Sequence, residues 1–204
     1  MWLYQVLWFI FRIPGRILYG VRCSGQENIP KDGAALICSN HIHWSDPFIH
    51  GMAQRRPFWS MAKVELFKSK FVAFIIRSLG GFPIKRGQSD VGAMENAEDL
   101  LRRGEMIAVF PEGHRSEDGN LLEYKPGIIL LAHHTGSPII PSVITLNKPY
   151  SKKPYNLFGY VKVIYGKPLT SEQLGVTSGE RAQLRRAAKK LREIAQQMLD
   201  EAPV

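Results

Sequence analysis

Three short apolar runs, each opening into a polar loop or a turn, set the tightest limit on how this chain can fold. Ala34-Ala35-Leu36-Ile37-Cys38-Ser39 leads into Asn40-His41-Ile42-His43-Trp44-Ser45-Asp46. Met106 to Phe110 leads into the polar stretch Pro111 to Tyr124, and Ile139 to Thr145 forms the third run. Runs of this length, bounded by turn residues, read as buried strands. Phe58 to Ala62, Phe82 to Ile84 and Tyr160 to Tyr165 extend the set. Between them, Lys63 to Leu79 suits a helix stopped by Gly80-Gly81. Ser89 is placed to cap a helix from Asp90 to Arg103, ended by Gly104. Gly127 to His134 is a further helix. Thr177-Ser178-Gly179-Glu180 resembles a capping box. The helix after it carries Leu184, Ala188, Leu191, Ala195 and Met198 on one face. Alternating strands and helices predict an α/β domain, and 204 residues suit one such domain.

Charge narrows the partners. With 27 Lys and Arg against 18 Asp and Glu, the net charge is +9. That balance points to an anionic partner: nucleic acid, a phospholipid surface or a phosphorylated substrate. The bland alternative is a solubilising surface. Cys23 and Cys38 form no disulfide or metal pattern, which fits a reducing compartment. Met1 to Phe11 is almost wholly apolar, with Trp2, Tyr4, Trp8, Phe9 and Phe11, before Arg12, Pro14, Gly15 and Arg16 interrupt it. About 20 apolar residues are needed to span a bilayer, so this segment is too short. It also lacks a basic leader and a small-residue cleavage site. On a helical wheel Gln5, Arg12, Arg16, Tyr19 and Arg22 share one face. Residues 1–22 therefore read as an interfacial helix, with aromatics at headgroup depth and arginines towards lipid phosphates. The competing reading is a terminal helix docked on the protein's own core. Residues 23–204 form the domain it serves.

Chemistry gathers where strands end. His41 and Asp46 are five apart, so a continuous helix separates them by about 140°. They meet only if the chain turns between them, and Ser45-Asp46-Pro47 supplies a turn. An imidazole held by a carboxylate is a base able to activate a hydroxyl near neutral pH. Otherwise Asp46 is a plain helix cap and His41 a strand-end histidine bonded to backbone. The spacing fits neither a His-x-His-x-Asp-His metal motif nor a Gly-x-Ser-x-Gly nucleophile elbow. A binuclear site of a large barrel needs a longer chain. In Gly80 to Gly87, Lys85 and Arg86 are suited to grip a phosphate, or else form a basic surface turn. In Phe110 to Ser116, Glu112 is placed to orient Arg115 or a substrate hydroxyl, and Arg115 is a second phosphate ligand; the alternative is a solvated loop with a local ion pair.

Taken in order, these segments resemble the glycerolipid acyltransferase family typified by bacterial 1-acyl-sn-glycerol-3-phosphate acyltransferases. Asn40, His41 and Asp46 match its Asn-His-x-x-x-x-Asp motif. Gly80 to Arg86 matches a Gly-x-x-x-x-x-Arg segment. Phe110 to Ser116 matches Phe-Pro-Glu-Gly-Thr-Arg-Ser, with His114 in place of threonine. Pro138 to Pro141 matches Pro-Ile-Ile-Pro. The resemblance implies a single α/β domain with a mixed β-sheet flanked by helices. It implies transfer of a fatty acyl group from an acyl-carrier protein or coenzyme A thioester to the sn-2 hydroxyl of lysophosphatidic acid, giving phosphatidic acid. His41 then acts as general base and Asp46 fixes its tautomer. Lys85, Arg86, Glu112, Gly113 and Arg115 bind the acceptor. No metal or tightly bound cofactor and no nucleic acid is implied. The expected setting is the cytoplasmic face of the cell membrane, held peripherally by an anionic lipid surface. Other acceptors, such as glycerol 3-phosphate, another lysophospholipid or an acylated amino acid, remain alternatives. So does a non-enzymatic basic module that binds lipid or nucleic acid.

Overall fold

A computed structural model of the chain describes residues 2–85, 90–146 and 160–202. The elements are α1 (Trp2–Leu18), β1 (Val21–Ser24), β2 (Ala35–Ser39), α2 (Asp46–Ala53), β3 (Trp59–Lys63), α3 (Lys70–Ser78), β4 (Gly81–Ile84), α4 (Val91–Arg102), β5 (Met106–Val109), α5 (Gly127–Thr135), β6 (Ile139–Leu146), β7 (Val161–Tyr165) and α6 (Arg181–Asp200). Seven strands form one sheet in the order β1-β7-β6-β2-β5-β3-β4. The five strands from β6 to β4 are mutually parallel, β7 is antiparallel to β6, and β1 is parallel to β7. The sheet is therefore mixed, as expected.

The central strands are buried on both faces, which is why they read as unbroken apolar runs rather than as alternating ones. Alternation survives in three dimensions. Leu36 and Cys38 pack with Leu100, Leu101, Ile129, Leu131 and Leu191, beneath α4, α5 and α6. Ala35 and Ile37 pack with Ile49, Ala53, Val163 and Tyr165, beneath α2. The crossovers from β2 through α2 to β3, and from β3 through α3 to β4, step the same way along the sheet. Right-handed crossovers then put α2 and α3 on one face, and α4 and α5, which step back, on the other.

Register decides what reaches the active edge. Ile140, Ile37, Ala108, Ser60 and Gly81 lie in one row across β6, β2, β5, β3 and β4. His41, Glu112 and Lys85 each follow that row by four residues, so they leave the same end of the sheet.

Several expectations are amended. The helix expected from Lys63 to Leu79 is two pieces, a 3-10 turn at Val64–Phe67 and α3. Ser69 breaks it, accepting from Val72 N–H as the cap of α3. The cap of α4 is Asp90, whose carboxylate accepts from Ala93 N–H, while the expected cap Ser89 lies outside the described residues. The capping box at Thr177–Glu180 does not form. Glu180 makes no side-chain cap bond, and Gln183 instead folds back to accept from the amides of Thr177 and Ser178. β1 was not legible, because Val21-Arg22-Cys23-Ser24 is a polar edge strand.

No helix among the described residues is long and apolar enough to cross a membrane. The arginines of α1 point the other way from the sequence expectation. Arg12 Nε donates to the Met52 carbonyl and Arg16 Nε to that of Val21, both at 3.3 Å. They dock the helix on the domain rather than facing outward. Ile10, Ile13 and Ile17, spaced three and four apart, are left exposed.

Candidate active site

The end of β2 is held by Asn40, whose side chain continues the ladder towards β6. Its amide donates to the Ile144 carbonyl at 3.0 Å, and its oxygen accepts from Ile144 N–H at 2.7 Å. The chain then turns before α2. Asp46, the first residue of that helix and fully buried, reaches back across the turn. Its Oδ2 lies 2.7 Å from His41 Nδ1 and accepts from the Ile42 and His43 amides, each at 2.8 Å. This is how residues five apart come together. Three donors on one oxygen also answer the cost of burying a carboxylate. The carboxylate fixes the proton on Nδ1, leaving Nε2 to accept one. The imidazole stacks on Phe110, with ring centroids 4.2 Å apart and planes inclined by 20°. The His41 carbonyl accepts from Ser116 N–H at 2.8 Å, which ties this turn to the loop after β5.

Glu112 belongs to that loop and is almost fully buried. Neither of its oxygens makes a well-formed hydrogen bond among the described residues. Burial pushes its carboxyl up to about 7; the amides of His41 and Leu122 and the Arg192 guanidinium oppose this, while the nearby Asp46 charge adds to it. Arg192 braces the same loop, donating to the carbonyls of Leu121 and Leu122 at 2.9 and 3.0 Å. Gly113 has φ +77, and a Cβ there would lie 2.5 Å from Lys125 Nζ, so the lysine crosses close over the backbone. Arg115 and His114 are exposed. The expected pairing of Glu112 with Arg115 is not formed, because one turns inward and the other outward. Arg115 still bears on His43, whose pKa is lowered first by burial and then by Arg115 and His41, against the pull of Asp46.

Lys85 follows β4, three strands from His41, or about 14 Å at the usual strand spacing. It is exposed, and its amide donates to Asp90 at 2.7 Å. A pocket of about 250 Å³ beside it is lined by Val64, Pro83, Asp90, Gly92, Ala93 and Asn96. Arg86 lies outside the described residues.

Sequence reasoning passed over His50, and it takes Lys125-Pro126-Gly127 as architectural. His50 is fully buried beside Tyr165, with its Nδ1 3.1 Å from the phenol oxygen. Burial lowers its pKa to about 4, so it stays neutral. Its signal was available: it follows Asp46 by four, hence on the same face of α2. Lys125 carried no comparable signal, since its place over Gly113 comes from the course of a long loop. Among the described residues no cluster of His, Cys, Asp and Glu suits a metal ion.

A family model described as Acyltransferase matches residues 20–145. A 1-acyl-sn-glycerol-3-phosphate acyltransferase of Bacillus subtilis is 31% identical over 152 residues, covering 74% of each chain. One from Borreliella burgdorferi is 35% identical over 120 residues, covering 58% of this chain and 48% of that one. The crystal structure of the 1-acyl-sn-glycerophosphate (LPA) acyltransferase from Thermotoga maritima superposes with a TM-score of 0.68 at 25% identity, covering 98% of this chain and 96% of that chain.

Proposed function

This chain belongs to the acyltransferase family, and we propose that it acylates the sn-2 hydroxyl of 1-acylglycerol 3-phosphate at a membrane surface, giving phosphatidic acid. The observation that carries this reading is the His41–Asp46 pair at the end of β2, with Nε2 left for a substrate. The acceptor hydroxyl attacks the thioester carbonyl while His41 Nε2 takes its proton. The tetrahedral intermediate collapses, the thiolate leaves, and the proton on His41 passes to it. Asp46 holds the imidazole in the right tautomer and offsets the charge of the transient imidazolium. No covalent acyl-enzyme is needed, because the substrate supplies the hydroxyl. Among the first-turn amides of α2, Pro47 has no N–H, and those of Asp46 and Ile49 are bonded to the carbonyls of His43 and Ser45. That leaves the Phe48 amide as the helix donor for the oxyanion.

Lys85, Arg86 and Arg115 bind the acceptor phosphate in this reading. Lys85 and Arg115 follow parallel strands that end on the same side of the sheet as β2, so a phosphate gripped beside them holds the glycerol towards His41. Glu112 and Gly113 form the floor beside the acceptor. The donor is an acyl-carrier protein or coenzyme A thioester. The positive charge and the outward isoleucines of α1 support work on anionic lipid at the membrane.

The test is acyl transfer by the purified chain in detergent. Thioesters of both carriers are offered with 1-acylglycerol 3-phosphate, glycerol 3-phosphate and other lysophospholipids. The expected result is product from 1-acylglycerol 3-phosphate, reduced by about 10²–10⁴-fold in His41→Ala. Equal turnover by a folded His41→Ala chain would refute the mechanism; a different preferred acceptor would refute the substrate.

A further inference from the structure

We propose that α3 is a second lipid-binding foot, which inserts Phe71 and Phe74 into an anionic bilayer on the same face of the domain as α2 and its active-site turn. This deepens the membrane reading given above and rests on it.

The helix is fastened to the domain by a narrow strip. Ala73 is its one buried residue, and Ile76 packs closely over Gly81. Everything else apolar faces out. Phe71 is 73% exposed and Phe74 61%, with Val72, Ile75 and the preceding Leu66 also open. Two phenyl rings displayed on one short helix form the kind of patch that marks an interaction surface.

Charge selects the occupant. Lys68, Lys70 and Arg77 stand exposed at the two ends of the patch, and α3 itself carries no acid. The acid nearest in sequence, Glu65, already sits 3.5 Å from Lys63. Apolar rings ringed by cations suit acyl chains beneath anionic headgroups. A second copy of this chain is a poorer fit, because a net charge of +9 would bring like charges together across the contact.

Placement agrees. α3 flanks β4 at one edge of the sheet, and α1 packs on α2 and β1 at the other. Between them, at the start of α2, Trp44 and Phe48 are exposed beside the His41 turn, their rings 6.2 Å apart. Two apolar feet would therefore bracket the active site and hold its mouth against the surface that contains the acceptor.

The experiment compares the full chain with Phe71→Ser/Phe74→Ser and Phe71→Glu/Phe74→Glu. Co-sedimentation uses vesicles of mixed phosphatidylcholine and phosphatidylglycerol. Removing two inserted phenyl rings should weaken partitioning by at least about tenfold, and the glutamates should weaken it further. Melting temperature and turnover of a short-chain, water-soluble acceptor should not change, since neither ring touches the site. Unchanged vesicle binding by both variants overturns the proposal. So does a parent chain that dimerises through these residues, seen by sedimentation velocity, with lipid binding unaffected. Failure of the acyl-transfer reading would register separately, as no turnover of the soluble acceptor, because vesicle binding is measured without catalysis.

Discussion

Replacing Glu112 with Gln should make the chain more stable relative to the parent as pH rises. Burial pushes the Glu112 carboxyl from an ordinary 4.5 up to about 7. Below 4.5 the acid is neutral in both states, and parent and variant differ little. Between 4.5 and 7 the unfolded chain gives up this proton while the folded chain keeps it. The folded state then binds more protons, so its stability falls as pH climbs, and the loss is complete above the folded value. At about 1.4 kcal/mol per tenfold change in proton affinity, the shift is worth at most about 3.5 kcal/mol. Glutamine has nearly the same shape and cannot ionise. Urea unfolding of both proteins from about pH 4.5 to about pH 8.5 measures the difference. The variant should gain about 2–3 kcal/mol on the parent across that range, with most of the change complete near the folded value of about 7. Parallel stability curves would refute the argument. So would a parent that gains on the variant with rising pH, which would mean that Arg192 and the two nearby amides outweigh burial.

Asp46→Asn should keep the fold and lower turnover by about 10³-fold, since an ion pair near 4 Å in a partly screened site is worth about 4 kcal/mol; steady-state kinetics on a soluble acceptor measures it. Arg86→Ala should raise KM for the phosphorylated acceptor more than for the thioester, and Arg86→Lys should restore it only in part because the fork is lost; an effect confined to the thioester would remove the phosphate clamp. Asn40→Ala should cost about 2–4 kcal/mol in urea unfolding, because it strips two hydrogen bonds from the buried backbone of Ile144.

The strands were legible because burial on both faces leaves an unbroken apolar signature, so β2, β5 and β6 start and stop within a residue of where their sequences say. β1 was not, since an edge strand with Arg22 and Ser24 has no such signature. The base and its carboxylate were also legible as candidates, from residue types and a turn signal that forces His41 and Asp46 together. What local sequence cannot carry is the sign of a side chain's environment. Glu112 and Arg115 are three apart in one loop, yet the loop's path buries the first against His41 and leaves the second in solvent. The helix expected over residues 1–22 stops at Leu18, with Arg22 already in β1, and only packing against Met52 and Val21 turned Arg12 and Arg16 inward and the isoleucines of α1 out. In the same way, periodicity marks α3 as a helix, while its exposure depends on β4 lying at the sheet edge, where no further strand or helix among the described residues covers Phe71 and Phe74. Sequence sets which residues share a face; the order of strands in the sheet decides what that face meets.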